Sequence, residues 1–220
     1  MVEPRLILAS GSPRRRELLA GLGLPFRAVA SAAEEQVELP DADLDPVGHA
    51  VAAAAAKAGD VGRNFPECLV IGADTVVFID GKAFGKPCDP AQARAMLTEL
   101  AGRDHFVVTG LAVGRPGDGR WTTGHEVTRV WMRQVCPAEI DDYVRTGEPM
   151  DKAGAYAIQG KGSTLVERIE GCYFGVVGLP LAKLARMLRE YGVMVLGAGA
   201  GGSGADESCA IQPDHKGSAP

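Results

Sequence analysis

No C-x-x-C pair occurs among the five cysteines of this 220-residue chain, Cys68, Cys88, Cys136, Cys172 and Cys209. Neither a cysteine zinc site nor a disulfide framework is therefore expected, and unpaired thiols fit a reducing cytosol. No apolar run is long enough to span a bilayer, and no charged, apolar and small-residue leader opens the sequence, so a soluble cytoplasmic protein without a membrane partner is expected. Basic side chains are in the minority, 23 against 28 acidic, for a net charge of -5. That balance excludes a protein that coats a nucleic-acid polymer, and it turns any local basic cluster into a candidate site for a small anion. The remaining composition, 46% apolar and 23% charged, is that of an ordinary globular protein, one domain or two small ones.

One such basic cluster lies in "LILASGSPRRRELLAGLG", residues 6 to 23. Leu6, Ile7 and Leu8 read as a buried strand, Ser12 as an N-cap, Pro13 as the first helical residue, and Leu18, Leu19 and Leu22 as the apolar helix face. Arg14, Arg15 and Arg16 then stand where a helix already carries about half a positive charge. Two readings remain open. The arginines point into solvent at small cost, or they join the Ser10 and Ser12 hydroxyls and the free backbone N–H groups around a phosphate. The loop lacks the glycine spacing and the Lys-Ser/Thr pair of a P-loop.

Strands are predicted at 26–31, 105–114, 125–135, 164–171 and 172–178, with a hairpin over 68–87 turning at Asp80-Gly81. Helices are predicted at 46–59, 91–100, 137–146 and 181–191, with Asp45-Pro46 and Asp89-Pro90 as starts. The order implies an α/β fold with a mixed sheet. From Gly197 the chain turns Gly-, Ser- and Pro-bearing, and residues 197–220 are expected to be a disordered tail behind a single domain of residues 1–196. Gly197, Gly199 and Gly202 match G-x-G-x-x-G formally, but no helix or second strand follows, and the match is rejected.

Asp74 interrupts an otherwise apolar strand, where a carboxylate must be wet at a bulge, paired, or bound to a metal. Thr75 adds a neighbouring oxygen, and Lys86, fixed before Pro87, reaches toward the same place. Glu34 and Glu35 are either solvated or lend one carboxylate to a magnesium or manganese site. Lys57 complements a helix C-terminus or contacts phosphate. In "DKAGAYAIQGKG", residues 151 to 162, the glycines allow close approach of backbone, Tyr156 offers a flat face, and the Gln159 amide can donate and accept at once, as the imide edge of uracil or thymine requires. A purely structural loop fits that composition equally well.

Taken in order, "LASGSPRRRELL", the acidic pair followed by Gln36, "AAKA", "GADTVV", "GKP", "HFVVTG", "GEPMDKAGAYAIQGKG" and "VVGLPL" resemble the Maf family of nucleoside triphosphate pyrophosphatases over roughly residues 5 to 191. The resemblance implies a mixed α/β fold with an elongated sheet, similar to inosine triphosphate pyrophosphatases, with two lobes around a substrate cleft, and a homodimer. It implies Asp74 as catalytic base and metal ligand with Glu35, and a divalent cofactor, Mg2+ or Mn2+. It places Arg14, Thr75 and Gln159 at positions that select the substrate, and Ser10, Arg14, Arg15, Lys57 and Lys86 around the phosphates. Lys152, Tyr156 and Gln159 side with the branch that acts on dTTP and UTP rather than the one that prefers 7-methylguanosine triphosphate. Two rival readings are a nucleotide-binding regulator of cell division and a phosphatase that removes only the terminal phosphate.

Overall fold

The computed structural model describes residues 5–35 and 45–196. Residues 36–44 and the expected tail, 197–220, lie outside the described residues. Among the described residues seven strands form one mixed sheet: β1 (Leu6–Ala9), β2 (Arg27–Val29), β3 (Leu69–Ile79), β4 (Lys82–Phe84), β5 (Asp104–Arg115), β6 (Arg120–Met132) and β7 (Val166–Glu170). The strand order is β2-β1-β3-β5-β6-β7, with β4 paired to the end of β3. β1 runs parallel to both of its neighbours, whereas β3, β5, β6 and β7 pair antiparallel. A central parallel strand is covered on both faces, which is why "LILA" is apolar at every position and buried throughout.

Among the described residues six α-helices surround the sheet: α1 (Pro13–Ala20), α2 (Pro46–Gly62), α3 (Pro90–Leu100), α4 (Pro137–Arg145), α5 (Tyr173–Val177) and α6 (Leu181–Arg189). Three of them start alike. Ser12, Asp45 and Asp89 each accept a backbone N–H of the first turn, from Arg15, Val47 and Gln92 respectively, and each is followed by proline at the first helical position. Asp80 and Gly81 both adopt positive φ, 49° and 79°, the turn that joins β3 to β4 and that matches the twist of a two-residue hairpin.

Two expectations need correction. "CYFGVVG" is not a strand but contains α5, because the Cys172 side chain caps the helix by accepting from Gly175 N and the Gly175 carbonyl is claimed by Thr109 Oγ1 at 2.8 Å. Aromatic and β-branched residues suggested strand, and tertiary hydrogen bonding overrode them. The strand expected from residue 164 begins only at Val166. Ser163 and Thr164 turn their hydroxyls back onto the Gly160 and Lys161 carbonyls and hold a 3-10 segment, Gly160–Leu165.

β3 threads two cores. Its first half, Leu69, Ile71 and Ala73, packs with Leu8, Leu19, Leu111, Leu184 and Leu188, and its second half, Val77 and Ile79, packs with Leu97, Leu100, Val107 and Ile140. Asp74 and Thr75 fall between the two, paired in regular register with Gly110 and Thr109. The carboxylate therefore sits in an unbroken strand, not at a bulge, and the seam between the lobes crosses the sheet there.

The alanine-rich α2 lies across this seam. Ala50, Ala54 and Ala58 are fully buried, and the helix backbone comes so close to the sheet that a Cβ on Gly72 would meet the Ala54 carbonyl oxygen at 2.1 Å and one on Gly110 would meet that of Ala50 at 2.2 Å. Glycine in the strands and alanine on the helix are two halves of one close contact. Gly59 in the same helix has no atom within 4 Å of the place its Cβ would take. Gly72→Ala and Gly110→Ala are thus expected to destabilise the fold by about 3 kcal/mol or more, since backbone has to move. Gly59→Ala is expected to stabilise it by about 0.5 kcal/mol. Urea unfolding of the three variants checks this, and equal effects at the three glycines would contradict the packing described.

Candidate active site

Lys57 is seven residues beyond the Ala50 contact on α2, so the seat of that helix decides where its side chain goes. It is 4% exposed, and its Nζ donates to Asp74 Oδ1 at 2.6 Å. A nearly buried lysine and a largely buried carboxylate are poor currency for stability, because desolvation consumes most of the Coulombic gain. Such a pair suits chemistry better. Of the two readings of Lys57, complement to a helix C-terminus or phosphate contact, the first does not describe its position: α2 runs on to Gly62, and the side chain pairs with Asp74.

Around this pair lies a cavity of about 460 Å³. Its wall carries Arg14, Arg15, Lys57, Asp74, Thr75, Lys86 and Gln159, seven of the residues anticipated from the sequence, brought together from α1, α2, β3 and two loops. Ser10 is absent from the wall. It is buried beneath it, where its Oγ accepts from Ser12 N at 3.2 Å and Arg15 Nη1 at 3.4 Å, so its hydroxyl shapes the loop. The side chains of Glu34 and Glu35 lie outside the described part of the structure, although their backbone closes a 3-10 turn, Ala32–Glu35.

Arg15 points inward. Its Nε donates to the Gly178 carbonyl at 2.8 Å and its Nη2 to Thr75 Oγ1 at 3.0 Å. Thr75 Oγ1 lies 2.9 Å from Thr109 Oγ1, which itself donates to the Gly175 carbonyl. The directions follow. Thr109 has spent its proton on Gly175, so Thr75 donates to Thr109 and accepts from Arg15, and what its hydroxyl can offer the cavity is an acceptor. Arg15 thereby answers part of the puzzle of the three arginines, since it ties α1 to β3 and to the loop after α5 as well as lining the cavity.

The opposite wall is the glycine-rich segment. Glu148 pins it by accepting from Tyr143 Oη at 2.9 Å, Lys161 N at 3.1 Å and Gly162 N at 2.9 Å. Those bonds outweigh the burial that works against ionisation and hold the Glu148 carboxyl below its ordinary range. Gly154 takes φ 68° with Val77 packed where a side chain would go. Tyr156 lines the cavity but is 5% exposed, and its hydroxyl meets His105 Nε2 at 2.6 Å, so it belongs to the floor.

Two titratable lining residues had not been singled out. His49 stands two turns before Lys57 on α2, a spacing that puts both on one face and that the sequence displays. Asp151 carries no such signal, because its contact with Arg14 spans 137 residues. Five cations on the cavity wall, Arg14, Arg15, Lys57, Lys86 and Lys152, face two carboxylates, Asp74 and Asp151. In a chain of net charge -5, that excess marks a place for a polyanion.

The family model described as Maf-like protein matches residues 5–191. A dTTP/UTP pyrophosphatase of Pelotomaculum thermopropionicum is 47% identical over 191 residues, covering 87% of this chain and 98% of that protein. Another of that name, from Moorella thermoacetica, is 49% identical over 193 residues, covering 88% of this chain and 98% of its own. Among solved structures, a HAM1 protein from Coxiella burnetii aligns over 86% of this chain and 100% of its own at 15% identity and a TM-score of 0.45.

Burial beneath the site has a consequence for stability. His105 is 1% exposed, its Nδ1 has no hydrogen-bond partner among the described residues, and desolvation pushes its pKa down to about 4 against a weak opposing pull from Asp104. The folded protein keeps this imidazole neutral while the unfolded chain protonates it below about pH 6.5, so its contribution is whole above that pH and is lost as pH falls toward 4. Between pH 7 and pH 5 the wild type should lose about 2 kcal/mol that His105→Phe does not lose. Urea titrations at the two pH values check it, and identical losses would contradict a neutral buried His105.

Proposed function

The chain belongs to the Maf family, and on that premise we propose that it hydrolyses dTTP and UTP to the nucleoside monophosphate and pyrophosphate. The single observation that carries the reading is the Lys57–Asp74 pair at 2.6 Å inside a cavity whose other walls are cationic. A water attacking the α-phosphorus needs an acceptor for its proton. Asp74 holds one carboxylate oxygen against Lys57 and lines the cavity, so it is the carboxylate placed to accept that proton. Charge that develops on the departing pyrophosphate meets Arg14, Lys86 and Arg15, placed before the reaction begins.

The same reading includes selection of the base. Thr75 accepts only, and Gln159 can both donate and accept, which together complement the donor and acceptor edge of a uracil or thymine ring. A divalent cation, Mg2+ or Mn2+, is part of the proposal. Among the described residues no three His, Cys, Asp or Glu side chains form a cluster. Asp74 offers a single carboxylate, a donor set that fits an ion which retains waters and shares the substrate's phosphates. Asp74, with Glu35 as the family resemblance implies, would hold it, and when bound it supplies polarisation of a phosphoryl oxygen. A homodimer in the cytoplasm completes the reading on the strength of the family, and no described helix is long and apolar enough to cross a membrane.

The test is a product assay with dTTP, UTP and a panel of other triphosphates in magnesium or manganese, with Asp74→Asn beside the wild type. The asparagine oxygen still accepts from Lys57, so the fold is expected to persist by circular dichroism while turnover falls by roughly 100-fold or more. Turnover near wild type in the folded variant would contradict the role of Asp74, and inorganic phosphate with a nucleoside diphosphate as products would make the enzyme a terminal phosphatase instead.

A further inference from the structure

Arg14 and Lys152 reach the cavity from opposite walls, and one carboxylate holds both. Arg14 Nη1 donates to Asp151 Oδ2 at 2.9 Å and its Nη2 to the Asp151 carbonyl at 3.2 Å. Lys152 Nζ donates to Asp151 Oδ1 at 2.5 Å and to the Glu148 carbonyl at 2.5 Å. The arrangement is unlike a surface ion pair. Lys152 is 11% exposed in its side chain and Asp151 57%, so the cation is fixed in the wall while the carboxylate stands at the open side with room to leave.

A carboxylate whose two oxygens are split between a guanidinium and an ammonium occupies the place that two oxygens of a phosphate group would take. We propose that Arg14 and Lys152 form a phosphate subsite in which Asp151 is the resident anion, displaced when substrate enters. This rests on the triphosphate-cleaving reading and adds to it Lys152 as a substrate-binding residue and Asp151 as an internal competitor. The contacts to main chain explain how the exchange keeps its geometry. Once the carboxylate swings out, Arg14 is still tethered to the Asp151 carbonyl and Lys152 to the Glu148 carbonyl, so both cations stay aimed into the cavity. Before substrate arrives, Asp151 keeps two neighbouring cations from repelling each other, and after cleavage its return competes with the product for the same donors.

The opposite signs of two variants test this. Inorganic pyrophosphate is the probe, titrated calorimetrically into the full-length wild type, Asp151→Asn, Lys152→Met and Asp151→Glu, with dTTP turnover measured on the same preparations. Removing the competitor should tighten pyrophosphate binding on the order of threefold to tenfold, the range of a partly exposed ion pair. Lys152→Met should weaken it, and Asp151→Glu, which keeps the charge, should stay nearer the wild type than the asparagine variant does. The gain from Asp151→Asn should shrink in an Arg14→Met background, which separates competition for these cations from a general change of charge. Unchanged or weaker binding in Asp151→Asn, or an undiminished gain without Arg14, would overturn the proposal even if dTTP is cleaved normally. Tighter binding in Asp151→Asn from a protein that cleaves no triphosphate would uphold the subsite and sink the enzymatic reading instead.

Discussion

The rest of the structure depends on how near α2 comes to the sheet. Its backbone rests on Gly72 and Gly110, with nothing larger than alanine between. A helix carried on leucine or valine would stand farther off, and Lys57 would no longer reach Asp74 at hydrogen-bond distance. The run of alanines that looks like filler in the sequence is the means by which a lysine on a helix and an aspartate on a strand become one partly buried pair. The pair itself offers little stability, so the small residues that enforce it are better understood through what it does than through what it holds together.

Between the two cores that β3 joins, apolar packing gives way to hydrogen bonds with fixed directions. Arg15, Thr75, Thr109 and the Gly175 carbonyl form a chain in which each proton is assigned. On the other side, Glu148 gathers one hydroxyl and two backbone N–H groups and makes a rigid wall from a glycine-rich segment that has little intrinsic order. Both walls are built before a ligand enters, which is what catalysis by positioning requires.

Much of this could be read from the sequence, and the reasons are local. Proline after a capping residue marked three helix starts, and a lone aspartate in an apolar strand had to be wet, paired or bound to a metal. Gln159 stood out because its amide can donate and accept at once within a glycine-rich segment. The misreadings share a physical cause. "CYFGVVG" has strand-forming residues, but Thr109, distant in sequence, claims a carbonyl within it. Ser10 is a different case: it lies beneath the cavity wall, where its hydroxyl oxygen accepts from Ser12 N and from Arg15 Nη1 on α1. Arg14, Arg15 and Arg16 are adjacent and look equivalent, yet helix geometry sends Arg15 into the protein and leaves Arg14 facing the opposite wall. Asp151 was invisible as the partner of Arg14, because 137 residues separate the two.

Hydrolysis of dTTP in water enriched in oxygen-18, with the products separated by mass, tests the central claim most directly. Attack at the α-phosphorus from the side of Asp74 puts the heavy oxygen in the monophosphate and leaves the pyrophosphate unlabelled. Label in pyrophosphate, or in inorganic phosphate, would mean that the water is directed at a different phosphorus and would contradict the placement of the Lys57–Asp74 pair at the reacting centre.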